Sequence, residues 1–156
     1  MATQISASEL AAKLVVDGCL ATVAGAVQGT VPIEGMSVTE LERAELGLAQ
    51  GGKTVFYPLG KNGVFLDLSG TSASVFYSDQ DFDRALPALD AALKRAHPNA
   101  KQVKDTPHPR KKDYRFRSYE VDFGNGKLAV VEVDAAEKAA REHTFAVRIM
   151  PMARRN

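Results

Sequence analysis

Chemistry suggests itself first in the segment Pro109-Arg-Lys-Lys-Asp-Tyr-Arg-Phe-Arg-Ser118, where Arg110, Lys111, Lys112, Arg115 and Arg117 interleave with Tyr114 and Phe116. Single-stranded nucleic acid asks for that mixture, with cations for its phosphates and flat rings for its bases. Strict strand alternation sets Arg115 and Arg117 on the face of Val121 and Phe123, and Tyr114 and Phe116 on the face of Glu120 and Asp122. The polarity of the two faces therefore swaps near Ser118. A bulge or sharp twist at residues 117–119 is expected, which returns the rings to the core and the arginines to solvent. The preferred reading is an outer strand whose arginines are solvated or pair with the acidic first half. The alternative is nucleic-acid binding through Arg110, Lys111, Lys112, Tyr114, Arg115 and Arg117.

The other reactive residues form no coherent set. Cys19, the single cysteine, follows a predicted helix end, where the dipole disfavours a thiolate, so it reads as a small buried apolar residue. His97, His108 and His143 lie far apart, two of them directly before proline, with no metal-binding spacing. Asp79, Asp81 and Asp83 alternate like the start of a calcium loop, but Arg84 stands where the loop glycine belongs. Ser72 and Ser74 lack a nucleophile-elbow context. Gly47-Leu-Ala-Gln-Gly-Gly52-Lys53-Thr54 satisfies the phosphate-loop pattern formally. A phosphate loop joins a strand to a following helix, whereas here a capped helix precedes and a strand-like run follows. No catalytic residue, metal site or cofactor is assigned.

These residues must be carried by something, and the stretch from Tyr119 to Met150 is the organising piece. Asn125-Gly126 predicts a two-residue hairpin turn, with Phe123 opposite Leu128, Val121 opposite Val130 and Tyr119 opposite Glu132. Leu128 to Val133 is apolar on both faces, as an interior strand covered above and below would be. His143 to Met150 alternates and adds a third strand. Earlier, residues 53–57, 64–68 and 74–77 read as short strands, and an extended piece is expected near residues 101–103. Helices are expected over residues 7–17, stopped by Gly18, and from Ser37 to about Ala49 with Val38, Leu41 and Leu48 inward. A third starts near Ser78 and buries Phe82, Leu86, Leu89 and Leu93; Pro87 either kinks it or opens a new helix there. Cys19 to Val31 reads as an interrupted strand, with a helix as the alternative. Each half of the chain has a hairpin with a similar turn. Small proteins often share turn chemistry without duplication, and that is the preferred explanation.

The expected fold is therefore α+β, mainly antiparallel sheet, with two hairpin-containing β segments flanking a central helix and about three packing helices, as one domain over residues 1–156. At 45% hydrophobic and 25% charged residues the composition is that of a globular protein. The longest uncharged apolar stretch, Cys19 to Val31, is too short to cross a bilayer as a helix, and no membrane partner is expected. The net charge of +1 hides an asymmetry: residues 1–90 carry five basic and eleven acidic residues, residues 91–156 fifteen basic and eight acidic. Opposite halves attracting each other within the fold is the simpler account, and opposed faces for partners the other. The resulting expectation is a bacterial cytoplasmic, non-catalytic module that binds a protein partner or itself. Nucleic-acid binding, or a small-molecule pocket built from distant residues, are the alternatives.

Overall fold

Eight strands pair in the order β1-β2-β3-β4-β8-β7-β6-β5, every neighbour antiparallel. They are β1 Met36–Ser37, β2 Lys53–Tyr57, β3 Val64–Ser69, β4 Ser72–Tyr77, β5 Lys101–Pro107, β6 Tyr114–Asp122, β7 Lys127–Ala136 and β8 Phe145–Ala153. The structure is a computed structural model and describes residues 6–24, 35–48, 51–59, 63–69, 72–78, 84–124, 126–138 and 144–153. Each half of the chain contributes a helical segment and then an antiparallel run of four strands. The runs meet at β4 and β8, where Val75 faces Val147. The strand order is thus equivalent from either edge, a symmetry stronger than the two turns alone implied.

Helices cover one face. α1 (Ala7–Lys13) starts at Ser6, whose side chain accepts from the Glu9 N–H. The chain stays helical through a π-helical stretch, Leu14–Leu20, and α2, Ala21–Val23. Gly18 does not end the helix, because Leu14, Val15, Cys19 and Leu20 are buried in the core and packing outweighs the helix penalty of about 1 kcal/mol for one glycine. Cys19 to Val23 is helix, not strand; residues 25–31 lie outside the described residues. α4 (Ala85–Ala96) buries Ala85, Leu89 and Leu93, and packs beside α1. Pro87 sits in its first turn, where its missing N–H costs nothing. The predicted start at Ser78 to Asp83 lies largely outside the described residues.

Paired residues share a face, so a row of the covered face runs Val55, Leu66, Val75, Val147, Val133, and then Arg117. The adjacent row on the other face runs Thr54, Asp67, Ser74, Arg148, Glu132, Ser118. Among the described residues, only α3 (Glu40–Glu45), a short helix, reaches over that second face. Among them, two larger helical segments cover one face and this short helix reaches over the other, where about three packing helices were expected.

The β6–β7 hairpin is one residue out of the expected register. Phe123 donates its N–H to the Lys127 carbonyl, Val121 pairs with Ala129 and Tyr119 with Val131. The strands therefore leave residues 124–126 between them; Asn125 lies outside the described residues, φ is 82° at Gly126, and the Asp122 carboxylate accepts from the Gly124 N–H. The slip puts Ala129, Val131 and Val133 beneath the helices; the opposite register would have put Glu132 there. Leu128 to Val133 does form an interior strand, but it is fully covered on one face and not on both: Leu128, Val130 and Glu132 are half-buried, because no larger helix among the described residues lies over their side.

Candidate functional site

α3 is where the expected pattern inverts. Its cap is Thr39, two residues later than the serine expected: the Thr39 hydroxyl accepts from the Glu42 N–H at 3.2 Å. The inward residue is Arg43, with its side chain 1% exposed, while Leu41 is 74% exposed. The cause is Asp67, a lone carboxylate in the apolar run Val64 to Leu68, which faces the second side of the sheet and is itself buried. Leaving a buried charge unpaired costs about 3–5 kcal/mol, more than the roughly 1.5–3 kcal/mol forgone by leaving a leucine in water. Arg43 Nη2 donates to Asp67 at 2.8 Å and Nε to the Thr54 hydroxyl at 2.6 Å. Thr54 passes its own proton to Asp67 at 2.7 Å, and Ser69 donates to the second carboxylate oxygen at 2.8 Å. Gly52 makes room for the guanidinium: a β-carbon there would collide with Arg43 Nη2 and Ser69 Oγ. Thr54 is committed to this network and lies on β2, so the Gly47–Thr54 string is not a phosphate loop: Lys53 begins a strand, not a helix.

With Arg43 anchored, α3 turns its apolar residues outward. Leu41 and Leu46 (42% exposed) lie on or just past it, and Met36 (59% exposed) sits on β1 against Phe56. Beneath runs an aromatic row, Phe56, Phe65 and Phe76, with successive ring centroids 4.8 and 5.1 Å apart. Phe76 opens into a groove of about 300 Å³ walled by Leu46, Leu48 and Ala146 and edged by Glu132, Asp134 and Arg148. The sequence signal for this surface was Asp67: an acid inside an apolar strand demands a cation, and Arg43 is the single basic residue between Lys13 and Lys53.

The basic–aromatic segment is split by the sheet. β6 is continuous and pairs with β7 without a bulge; the irregularity falls on the neighbouring strand, between Gln102 and Lys104 of β5. Arg115 and Arg117 therefore stay on the helix-covered face, contrary to the expectation that they face out. Arg115 pairs with Asp105, and Arg117 with Asp105 at 3.1 Å and with Asp90 of α4 at 2.9 Å. Tyr119 donates its hydroxyl proton to Asp90. The hydrogen bond from Arg115, opposed by burial and reinforced by Arg117, holds the Asp105 carboxyl below its ordinary range. Tyr114 and Phe116 are on the opposite face, where Lys111 lies over the Tyr114 ring at 5.3 Å and Lys104 over Phe116 at 5.5 Å. Arg110 and Lys112 are exposed in the turn before β6. Of the six residues singled out by sequence, the structure leaves four near one another on or beside that face and turns two away.

His108 belongs to the same neighbourhood. Its Nδ1 accepts from the Arg110 and Lys111 N–H groups at 3.0 Å, which places a proton on Nε2, 3.2 Å from Asp134. Both nitrogens are occupied in holding the turn, so the ring has no free atom for general-base work. Lys111 also reaches Asp134, at 3.6 Å. Cys19 is buried in the core, which pushes its thiol pKa well up and keeps it protonated. Among the described residues no three metal-ligating side chains cluster; His143 and Asp79 to Asp83 lie outside them. Among the described residues, the ion pairs at Arg43, Lys111 and Arg115 join residues of the same half, and Arg117–Asp90 bridges the two.

No helix among the described residues is long and apolar enough to cross a membrane. Comparison of the chain with protein-family models, with curated proteins and with solved structures finds no match.

Proposed function

We infer that this protein is a non-catalytic interaction module, and that it engages a protein partner through the α3 end of the face opposite the larger helices. The observation that carries the reading is the inverted amphipathicity of α3, which buries its arginine and leaves Leu41 in solvent, with Leu46 just past its end and Met36 on β1 exposed as well. Pairing Asp67 fixes α3 through the Arg43 network, so the exposed apolar side chains are held in place, as a contact surface requires. The test is capture of partners from extracts of the native host by wild-type protein and by a Leu41→Ser, Leu46→Ser variant. A partner retained by the first and lost by the second supports the reading. Recovery of no protein, with the purified chain monomeric at high concentration, overturns it.

One observation favours a second reading, nucleic-acid contact. The pairs Lys104–Phe116 and Lys111–Tyr114 place cations over rings on the face opposite the larger helices, with Arg110 and Lys112 exposed alongside. Glu132 and Asp134 share that face and oppose phosphates. A salt-dependent gel shift on single-stranded RNA or DNA, weakened by Lys104→Glu and Lys112→Glu, is its test; Arg115 and Arg117 are unsuitable because they hold the fold. A small molecule in the groove at Phe76 is a third, resting only on its volume.

A further inference from the structure

We propose that the partner at the α3 end is a second copy of this chain, bound head to tail by its β5 edge. The proposal rests on the reading of α3 as a contact surface and names what occupies it. Among the described residues, two of the exposed large hydrophobic side chains sit on the opposite edge strands of the sheet, Met36 on β1 and Val103, 52% exposed, on β5. Leu41 is exposed on α3, which reaches over β2 and β3, whereas Leu46 borders the groove at Phe76 nearer the middle of the sheet. The charges around them are opposite. Glu40, Glu42 and Glu45 of α3 are exposed at the first end, and Lys101 and Lys104 flank Val103 at the second. An apolar patch with acidic neighbours and an apolar knob with basic neighbours are complementary in both hydrophobicity and sign.

Geometry selects the mode. Like ends repel: α3 against α3 sets carboxylates together, and β5 against β5 sets lysines together. A two-fold dimer through either end is therefore disfavoured, and a heterologous contact is favoured. The register shift between Gln102 and Lys104 interrupts β5 as a pairing edge, and its lysines deter addition of a further strand. The contact is accordingly made by side chains, with Val103 seated against Met36 and Leu41. Because every copy carries both ends, association continues beyond two copies and gives open chains, or rings where the rotation closes. Exposed charges make it salt-sensitive, since at about 1 M salt the Debye length is only about 3 Å.

Sedimentation velocity across a concentration series at low salt tests this. The expected result is a sedimentation coefficient that rises with concentration and loses that dependence at high salt. Lys101→Glu with Lys104→Glu reverses the basic end. Glu42→Gln with Glu45→Lys neutralises and reverses the acidic end, keeps an acceptor for Thr39, and leaves Glu40 beside Arg43. Each variant, folded by circular dichroism, stays monomeric alone, and an equimolar mixture regains association because each supplies what the other lacks. A wild-type monomer at all concentrations overturns the proposal, as does association that survives either variant or a mixture that stays monomeric. A monomer that still captures a host protein through Leu41 and Leu46 overturns self-association and leaves the contact surface standing.

Discussion

Val55 and Arg117 occupy equivalent places in the two halves of the sheet. Each pairs with the residue, Leu66 or Val133, that flanks the central Val75–Val147 pair on the helix-covered side. One is a buried valine and the other an ion-paired arginine. The difference follows from what each half offers. Beside Arg117, α4 supplies Asp90 and β5 supplies Asp105, so the two terminal nitrogens of a guanidinium are paired beneath a helix, while its buried Nε has no partner among the described residues. In the first half the charge sits on the opposite face, where Asp67 draws Arg43 down from α3. The same layout thus solves the same problem twice from opposite sides: the sheet sends a cation up to a helix, or a helix sends one down to the sheet. Only the second solution leaves a helix with its apolar side outward.

The two arginine sites can be broken separately. The largest effect is expected at Arg43→Met, which strands Asp67 and should lower the unfolding free energy by about 3–5 kcal/mol in urea titration; adding Asp67→Leu should recover much of the loss. Next is Arg117→Met, where both acids remain partly solvated; a loss of about 2–3 kcal/mol is expected. A double-mutant cycle with Asp90→Asn should give a coupling of about 0.5–3 kcal/mol. Gly52→Ala should cost about 1–3 kcal/mol by pushing the Arg43 guanidinium off Asp67 without removing any charge.

Acid separates the sites further. The folded pKa of Asp105 lies below its unfolded value, so its stabilisation is complete above the ordinary carboxylate range and fades as pH falls through the folded pKa. Thermal melts below about pH 4 should show this loss, and Asp105→Asn should lower the melts at neutral pH, where the carboxylate is paired, while converging with wild type in acid, which flattens that limb. The smallest effect is expected at Leu41→Ser, within about 0.5 kcal/mol of wild type, because the side chain is already in water. A large loss there would mean that Leu41 packs within the fold.

Much of the sheet was legible in the sequence. Residues 53–57, 64–68 and 74–77 alternate or run apolar between turn residues, and all fall within paired strands. What escaped were choices that a local pattern leaves balanced. Asn125-Gly126 signals a turn, yet two-residue and three-residue connections share that signal, and burial of Val131 and Val133 chose between them. Gly18 signals a stop, but Cys19 and Leu20 had a core to enter. At α3 the leucine spacing implied an inward apolar stripe. One aspartate on a strand 24 residues later in the chain reversed it, and helical periodicity cannot register that distance. The basic segment was visible as a cluster, but which of its cations are tied down depends on Asp90, 27 residues before Arg117, and on Asp105 being folded back against it by the β5–β6 pairing.

The β4–β8 seam has a consequence for synthesis. As the chain emerges from the ribosome, β1 to β4 are complete while the partner of β4 has yet to be made. Until Phe145 to Ile149 arrive, Ala73 to Tyr77 present an unpaired apolar border, the most adhesive line in the nascent protein. Translation speed through α4 and the second strand run therefore sets how long that border is exposed, and slowing it should raise the aggregated fraction of newly made chains.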